Sequence, residues 1–298
     1  MQYSHIKKTF SDRVFDVCNV LIMVALLIIF LWPLWFVVIA SVSDPKAVLT
    51  GQVLVLPKGF NLKGYLKILQ YDQIWIGYGN SIFYTLLGTA LNMVMSICMA
   101  YPMSDKSFAI RKPLMAYFMV SMYFGGGLIP TFLLMKNMHL VNTRAIMVVL
   151  GAISIYNSLI IRSYFTNSIP GELKEAATLD GAGQGNYLLK IVLPLSKPVF
   201  AVVALYYAVG HWNSYTKGLY YIYDREKLPL QNILRDLLTS SKMVTDLMED
   251  PEATKLALET AQSMKYGVII VAALPMMILY PFIQKHFVKG VMVGAVKG

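Results

Sequence analysis

The residues best suited to chemistry lie between Glu175 and Pro194, and their types favour docking over catalysis. Two carboxylates, Glu175 and Asp180, can accept charged hydrogen bonds from Arg or Lys on a partner. Gly181 permits a left-handed turn that a side chain would resist. Helical apolar spacing on both sides of that glycine predicts a helix, a turn and a second helix. The candidate docking residues are Glu175, Ala176, Ala177, Asp180, Gly181, Ile191, Leu193 and Pro194.

Catalytic signatures are missing from the sequence. It contains no HExxH, no cysteine set with metal-ligand spacing and no G-x-S-x-G nucleophile elbow. It also lacks a Walker A sequence, so we do not expect the chain to hydrolyse ATP by itself. We therefore predict that the chain alone is not an enzyme and binds no metal or cofactor.

The elements that must position these residues are membrane helices. With 57% hydrophobic and 14% charged residues, the chain is too apolar for a soluble globular protein. Six stretches free of Asp, Glu, Lys and Arg reach the roughly 17–25 residues that a helix needs to cross a bilayer. They predict an all-α integral membrane protein with six transmembrane helices rather than a barrel. The stretches are 17–43, 73–104, 113–135, 145–161, 198–216 and 266–284.

The positive charge of the chain is better explained by membrane flanks than by nucleic acid. The net charge of +10 comes from 26 basic residues scattered along the links between apolar stretches. Short basic segments beside membrane helices tend to remain in the cytoplasm, which predicts that both termini are cytoplasmic. The predicted parts are a cytoplasmic N-terminus (1–16), a transmembrane domain (17–288) with a cytoplasmic loop (168–198) and an external loop (217–265), and a cytoplasmic tail (289–298).

Polar and aromatic residues in the apolar stretches are candidates for a solute path. His211 is the only His, Asp, Glu, Lys or Arg in any of the six stretches, and such residues inside a membrane are candidates for function. A hydrogen-bonded structural histidine is the alternative, and Tyr and Trp also form interfacial belts. Asn92 is a weaker candidate, because amides often join helices. The candidate path residues are Phe124, Asn157, Tyr206, His211, Trp212, Asn213 and Tyr215.

The spacing from Glu175 to Pro194 resembles the EAA signature, EAA-x3-G-x9-I-x-L-P, of binding-protein-dependent ABC importer permeases. Every fixed position is matched. The resemblance implies a type I ABC importer permease in which loop 168–198 is the coupling loop, held by an ATPase. The plainer alternative is an amphipathic surface helix pair, since Ala-Ala with Gly is common in helical hairpins.

Further segments resemble the maltose-type sugar permeases, in particular a subgroup that carries oligosaccharides or polysaccharide fragments. They are 124–131, 210–215, 280–285 and the glycine-rich tail 289–298. In that family the tail of the smaller membrane subunit reaches into the ATPase dimer, which makes tail residues candidate contacts. These are Gly290, Gly294, Lys297 and Gly298.

The resemblance implies a multi-pass permease of the bacterial cytoplasmic membrane that imports a carbohydrate, and the expected class is an oligosaccharide. Its expected partners are a second permease subunit, two ATPase subunits that hold ATP and Mg, and an extracytoplasmic solute-binding protein. A competing hypothesis is a secondary transporter driven by protons or sodium. It is disfavoured because the six stretches contain no carboxylate.

Overall fold

The computed structural model describes residues 9–246, 259 and 261–278, in which the regular secondary structure is helical. The described residues separate into two compact units, the first with residues 9–70, 238–246, 259 and 261–271, the second with residues 71–237 and 272–278. The helices are α1 Phe10–Ser41, α2 Pro45–Leu49, α3 Lys63–Leu69, α4 Asp72–Ser104, α5 Arg111–Tyr123, α6 Leu128–Asn137, α7 Arg144–Val149, α8 Ile155–Ser168, α9 Gly171–Leu179, α10 Gln184–Tyr187, α11 Leu193–Leu195, α12 Lys197–Trp212, α13 Tyr215–Tyr221, α14 Leu230–Asp246 and α15 Ala261–Ile278.

Helix α1 is a 32-residue helix that begins seven residues before the apolar stretch predicted from the sequence. The Thr9 hydroxyl accepts from the Asp12 amide, and the Asp12 carboxylate accepts from the Thr9 amide, forming a capping box. An 18-residue window of this helix has a mean hydropathy of 2.9, and most of its apolar side chains are exposed. This all-round apolar surface is typical of a helix that faces lipid.

Helix α4 organises the second unit. It runs for 33 residues, close to the predicted 73–104, and packs against α8 and α12. Small and polar residues recur on its buried face every three or four positions, which lets neighbouring backbones approach closely. The buried residues are Ile74, Gly77, Asn80, Ser81, Tyr84, Thr85, Gly88, Asn92, Ser96, Ala100 and Met103.

Several predicted spans are interrupted. Helices α5 and α6 meet at an angle of 111° around the glycines of 124–127, where Gly127 has a φ of +83°. The predicted span 145–161 is divided into α7 and α8, with Gly151 at a φ of +80° in the break. By length and composition, the described part of the chain has three candidate spans, or five if each bent helix pair counts as one.

The loop predicted at 217–265 is helical where it is described. It contains α13, a 3-10 turn at Arg225–Lys227 and the 17-residue α14. Helix α4 holds this turn in place through hydrogen bonds: the Asn80 side-chain amide donates to the carbonyls of Glu226 (2.8 Å) and Leu228 (3.0 Å). The predicted tail 289–298 and residues 1–8 of the predicted N-terminus lie outside the described residues.

Candidate functional site

The segment 168–198 folds as the predicted helix, glycine turn and second helix. Helix α9 ends at Leu179, and Gly181 follows at a φ of +71°. The Ala182 amide donates to the Ala177 carbonyl at 2.8 Å, and the Gly181 amide donates to the Thr178 carbonyl at 3.1 Å. This pair of bonds is a Schellman motif, which requires a left-handed residue at the position of Gly181.

The reason for glycine at 181 is therefore the backbone conformation and not a lack of space. A Cβ built on Gly181 would meet no heavy atom within 4 Å. A left-handed conformation costs a residue with a side chain roughly 1–2 kcal/mol, and Asn tolerates it best. The turn thus depends on Gly181 through φ alone.

Helix α9 has two distinct faces. Ala177 is buried in a core formed with α4, α8 and α12, while Lys174, one turn earlier, points to the same side. The opposite face is exposed, and Leu179 at its end has 89% of its surface accessible. The candidate docking residues on this exposed face and the adjoining turn are Glu175, Ala176, Asp180 and Gly181.

The second half of the segment is anchored in the same core. Tyr187 and Val192 are buried there, and Ile191 packs against them. A π-helical turn at Leu188–Val192 precedes Pro194, with the Leu193 amide bonding five residues back to Leu188. Proline cannot complete an ordinary helical turn, and the chain bends by 80° before α12 begins. Ile191 therefore contributes more to the inner packing than to an outer surface, whereas Leu193 is half-buried and Pro194 is exposed.

An ion pair joins α9 to the end of α4. The Lys174 Nζ atom donates to Asp105 Oδ2 at 2.6 Å, and Asp105 Oδ1 accepts from the amide and hydroxyl of Ser107. Partial burial alone would raise the pKa of Asp105, but the hydrogen bonds from Lys174 and Ser107 outweigh it and lower that pKa to about 2. The carboxylate is consequently charged throughout the physiological pH range.

The candidate path residues fall into two groups. Phe124, Tyr206 and Asn213 are exposed, and Tyr215 is partly exposed. Asn157, His211 and Trp212 are buried, and the Trp212 indole donates to the Ala272 carbonyl at 3.0 Å. Within the second unit, the first group is open to a solute or a neighbouring subunit, while the second group is occupied by internal packing.

His211 belongs to a buried polar network in which Asn92 is central. The His211 Nε2 atom and Asn92 Oδ1 are 2.6 Å apart. The Asn92 amide group in turn donates to the carbonyls of Gly151 (2.8 Å) and Ala152 (2.7 Å). The network therefore satisfies backbone groups that the break between α7 and α8 leaves free.

Two further side chains form hydrogen bonds with backbone groups in the break between α7 and α8. Lys217 Nζ donates to the Leu150 carbonyl at 2.6 Å. The Tyr207 hydroxyl accepts from the Ser154 amide at 3.3 Å and bonds to Ser96 at 2.6 Å. Neither Lys217 nor Ser96 was predicted from the sequence, and neither were the bonds of Tyr207 or the pair of Asp105 with Lys174. Each pairing joins residues more than 50 positions apart, for which a single sequence carries no signal.

The glycines at 125–127 break a helix and make no close helix contact. A Cβ at Gly125 or Gly127 would meet nothing within 4 Å, and one at Gly126 only the Pro130 ring at 4.0 Å. The candidate tail contacts Gly290, Gly294, Lys297 and Gly298 lie outside the described residues.

Long apolar helices and bent spans are features of a polytopic membrane protein. Relatives specify the class. The chain is 37% identical over 291 residues (97% of its length and 100% of the relative's) to the polygalacturonan/rhamnogalacturonan transport system permease protein YtcP of Bacillus subtilis (strain 168). It is 36% identical over 290 residues, 97% of each chain, to Protein LplC of the same organism.

A solved structure supports the same assignment. The chain matches one in the crystal structure of a bacterial ABC transporter involved in the import of the acidic polysaccharide alginate. The TM-score is 0.84 at 29% identity, covering 94% of this chain and 99% of the other. No protein-family model matches.

The chain therefore belongs to the family of carbohydrate ABC transporter permeases. It is a permease subunit of a sugar importer and is not itself the catalytic subunit. Such a subunit is a multi-pass protein of the inner membrane that works with a partner permease, an ATPase and a solute-binding protein.

Proposed function

We propose that this subunit couples ATP hydrolysis to carbohydrate import by inserting the outer face of α9 into an ATPase subunit. The observation that carries the proposal is the asymmetry of α9. Its inner side is fixed by Ala177 and Lys174, whereas Leu179 and Asp180 are exposed on the other side and Glu175 is exposed at the edge of the cleft beside Lys174. Two carboxylates beside an exposed leucine suit an apolar pocket with basic residues at its rim.

In this proposal segment 168–198 and both termini are cytoplasmic, and six spans cross the membrane once the broken helices are counted. A second permease completes the solute path. Two ATPase subunits hold ATP and Mg, and the tail 289–298 contacts them. An ion-coupled secondary transporter would use none of these contacts, so its transport would survive removal of the ATPase.

Substituting the turn glycines tests the docking proposal. Gly181→Val should reduce transport and sugar-stimulated ATP hydrolysis by about 5- to 30-fold, the ratio that corresponds to roughly 1–2 kcal/mol of left-handed strain. Gly181→Asn should retain most activity. Both are measured in the complex of permeases, ATPase and solute-binding protein reconstituted in liposomes.

Gly183→Val is the matched control. Gly183 lies two residues away, is exposed, has no neighbour within 4 Å of an added Cβ and has an ordinary φ of −69°. Its substitution should leave coupling intact. Equal activity of Gly181→Val and Gly183→Val would contradict a docking role for the turn.

We further propose that the imported sugar is an acidic oligosaccharide. One relative at 37% identity is named for the transport of polygalacturonan and rhamnogalacturonan. The ABC transporter whose structure matches is involved in the import of alginate. Both name uronate-containing polymers. Oligogalacturonides or alginate oligosaccharides should therefore stimulate ATP hydrolysis by the reconstituted complex at least about tenfold more than maltodextrins of equal length, a difference of roughly 1.4 kcal/mol. Stimulation by maltodextrins alone would reject the acidic class while leaving the importer assignment in place.

A further inference from the structure

Among the residues of helix α9 itself, only one in the last turn is buried in the apolar core, although Ile169 just before the helix also packs against that core. The buried residue is Ala177. The first half of the helix borders an open cleft of about 480 Å³. Residues from the end of α4 line one side of this cleft, and Gly171, Lys174 and Glu175 line the other.

The ion pair between Lys174 and Asp105 bridges that cleft. Lys174 reaches across from α9, and the two charged atoms are 2.6 Å apart with side-chain exposures of 34% and 23%. Asp105 is well fixed, because it caps the C-terminus of α4 and its second carboxylate oxygen is bound by Ser107. The Lys174 ammonium group is thus held by the Asp105 carboxylate, whose position is fixed at the end of α4.

A second link from α4 reaches the other helix of the segment. The Tyr101 hydroxyl, one turn before Asp105, donates to Gln184 at the start of α10, with a distance of 2.8 Å to Oε1. The end of α4 therefore contacts both arms of the helix–turn–helix. Since α4 also fastens the turn Arg225–Lys227 through Asn80, one continuous helix connects these two regions.

We propose that Asp105 is a positioning residue for coupling: through Lys174 it fixes the orientation of α9, so that a displacement of α9 by the ATPase moves α4. Without the pair, α9 could rotate about the buried Ala177 and move into the cleft, so that only part of its displacement would reach α4. The inference rests on the proposed docking of α9, but concerns the transmission of movement and not the binding of the ATPase.

Neutral substitutions with a lysine control test the inference in the complete reconstituted complex. Asp105→Asn and Lys174→Gln should lower the sugar transported per ATP hydrolysed by about three- to tenfold, as expected for a partly buried, charge-assisted bond. The ATPase should still co-purify with both variants. Lys106→Gln is the matched control, because Lys106 lines the same cleft but is exposed and outside the pair. It should leave the ratio unchanged.

Exchange of the two charges separates positioning from a general structural role. Asp105→Lys and Lys174→Asp should each reduce the ratio, and the double variant should recover part of the loss, because the charge pair reforms in reverse although Ser107 no longer has a carboxylate to bond. Recovery supports the inference. A normal ratio in both neutral variants, or a double variant no better than the worse single one, overturns it. If the unaltered complex does not co-purify with its ATPase, the proposed docking itself fails, and that result is distinct from the others.

Discussion

Leu179→Asp is expected to weaken the association of this permease with its ATPase by roughly 10- to 100-fold. Leu179 is 89% exposed in the described chain, at the tip of the face that we propose enters the ATPase. Burying a leucine side chain is worth about 1.5–3 kcal/mol, and a carboxylate in the same apolar pocket would have no partner. Co-purification of the ATPase and sugar-stimulated hydrolysis should both fall, while the permease still inserts in the membrane.

Leu179→Met is the control for this prediction, since it preserves the volume and apolar character of the side chain. It should retain association within a few-fold. A Leu179→Asp complex that assembles and hydrolyses ATP like the original would show that the tip of α9 remains outside the contact.

Gly88→Leu is expected to prevent correct folding of the second unit. A Cβ at Gly88 would collide with the His211 ring, which lies against the α4 backbone. Moving that ring breaks its bond to Asn92, the residue whose amide group donates to the Gly151 and Ala152 carbonyls. Overpacking and the loss of buried hydrogen bonds should together cost on the order of 3 kcal/mol or more. Thermal unfolding of the detergent-solubilised protein measures the loss.

Gly79→Leu provides the comparison on the same helix. A Cβ at Gly79 would meet nothing within 4 Å, so its effect on the midpoint of unfolding should be small. Unfolding of Gly88→Leu at the same temperature as Gly79→Leu would refute the account of His211 as part of a structural network.

The long helices and the turn were predictable from the sequence, for physical reasons that act locally. The apolar run at 73–104 is long enough to span a bilayer and folds as α4 almost to the residue. Gly181 was predicted to be left-handed because glycine alone has no steric cost there, and its φ of +71° confirms this.

The breaks in the spans were not predictable, because distant side chains permit them. Residues 145–161 form one apolar run, yet the chain separates α7 from α8 within it. Lys217 and Asn92 supply hydrogen bonds to the carbonyls of that break. Neither is close to it in the sequence. His211 was correctly noted as exceptional, but its place in the network depends on Gly88 and Asn92 of another helix.

The position of α9 relative to the ATPase is the central claim and can be measured directly. A photo-crosslinking amino acid at position 179 avoids the exposed native thiols Cys18 and Cys98, which would complicate cysteine chemistry. After irradiation of the assembled complex, we predict an adduct between this permease and the ATPase subunit from position 179, and no such adduct from position 124, which is also exposed. An active complex that forms no ATPase adduct from position 179 would contradict the account.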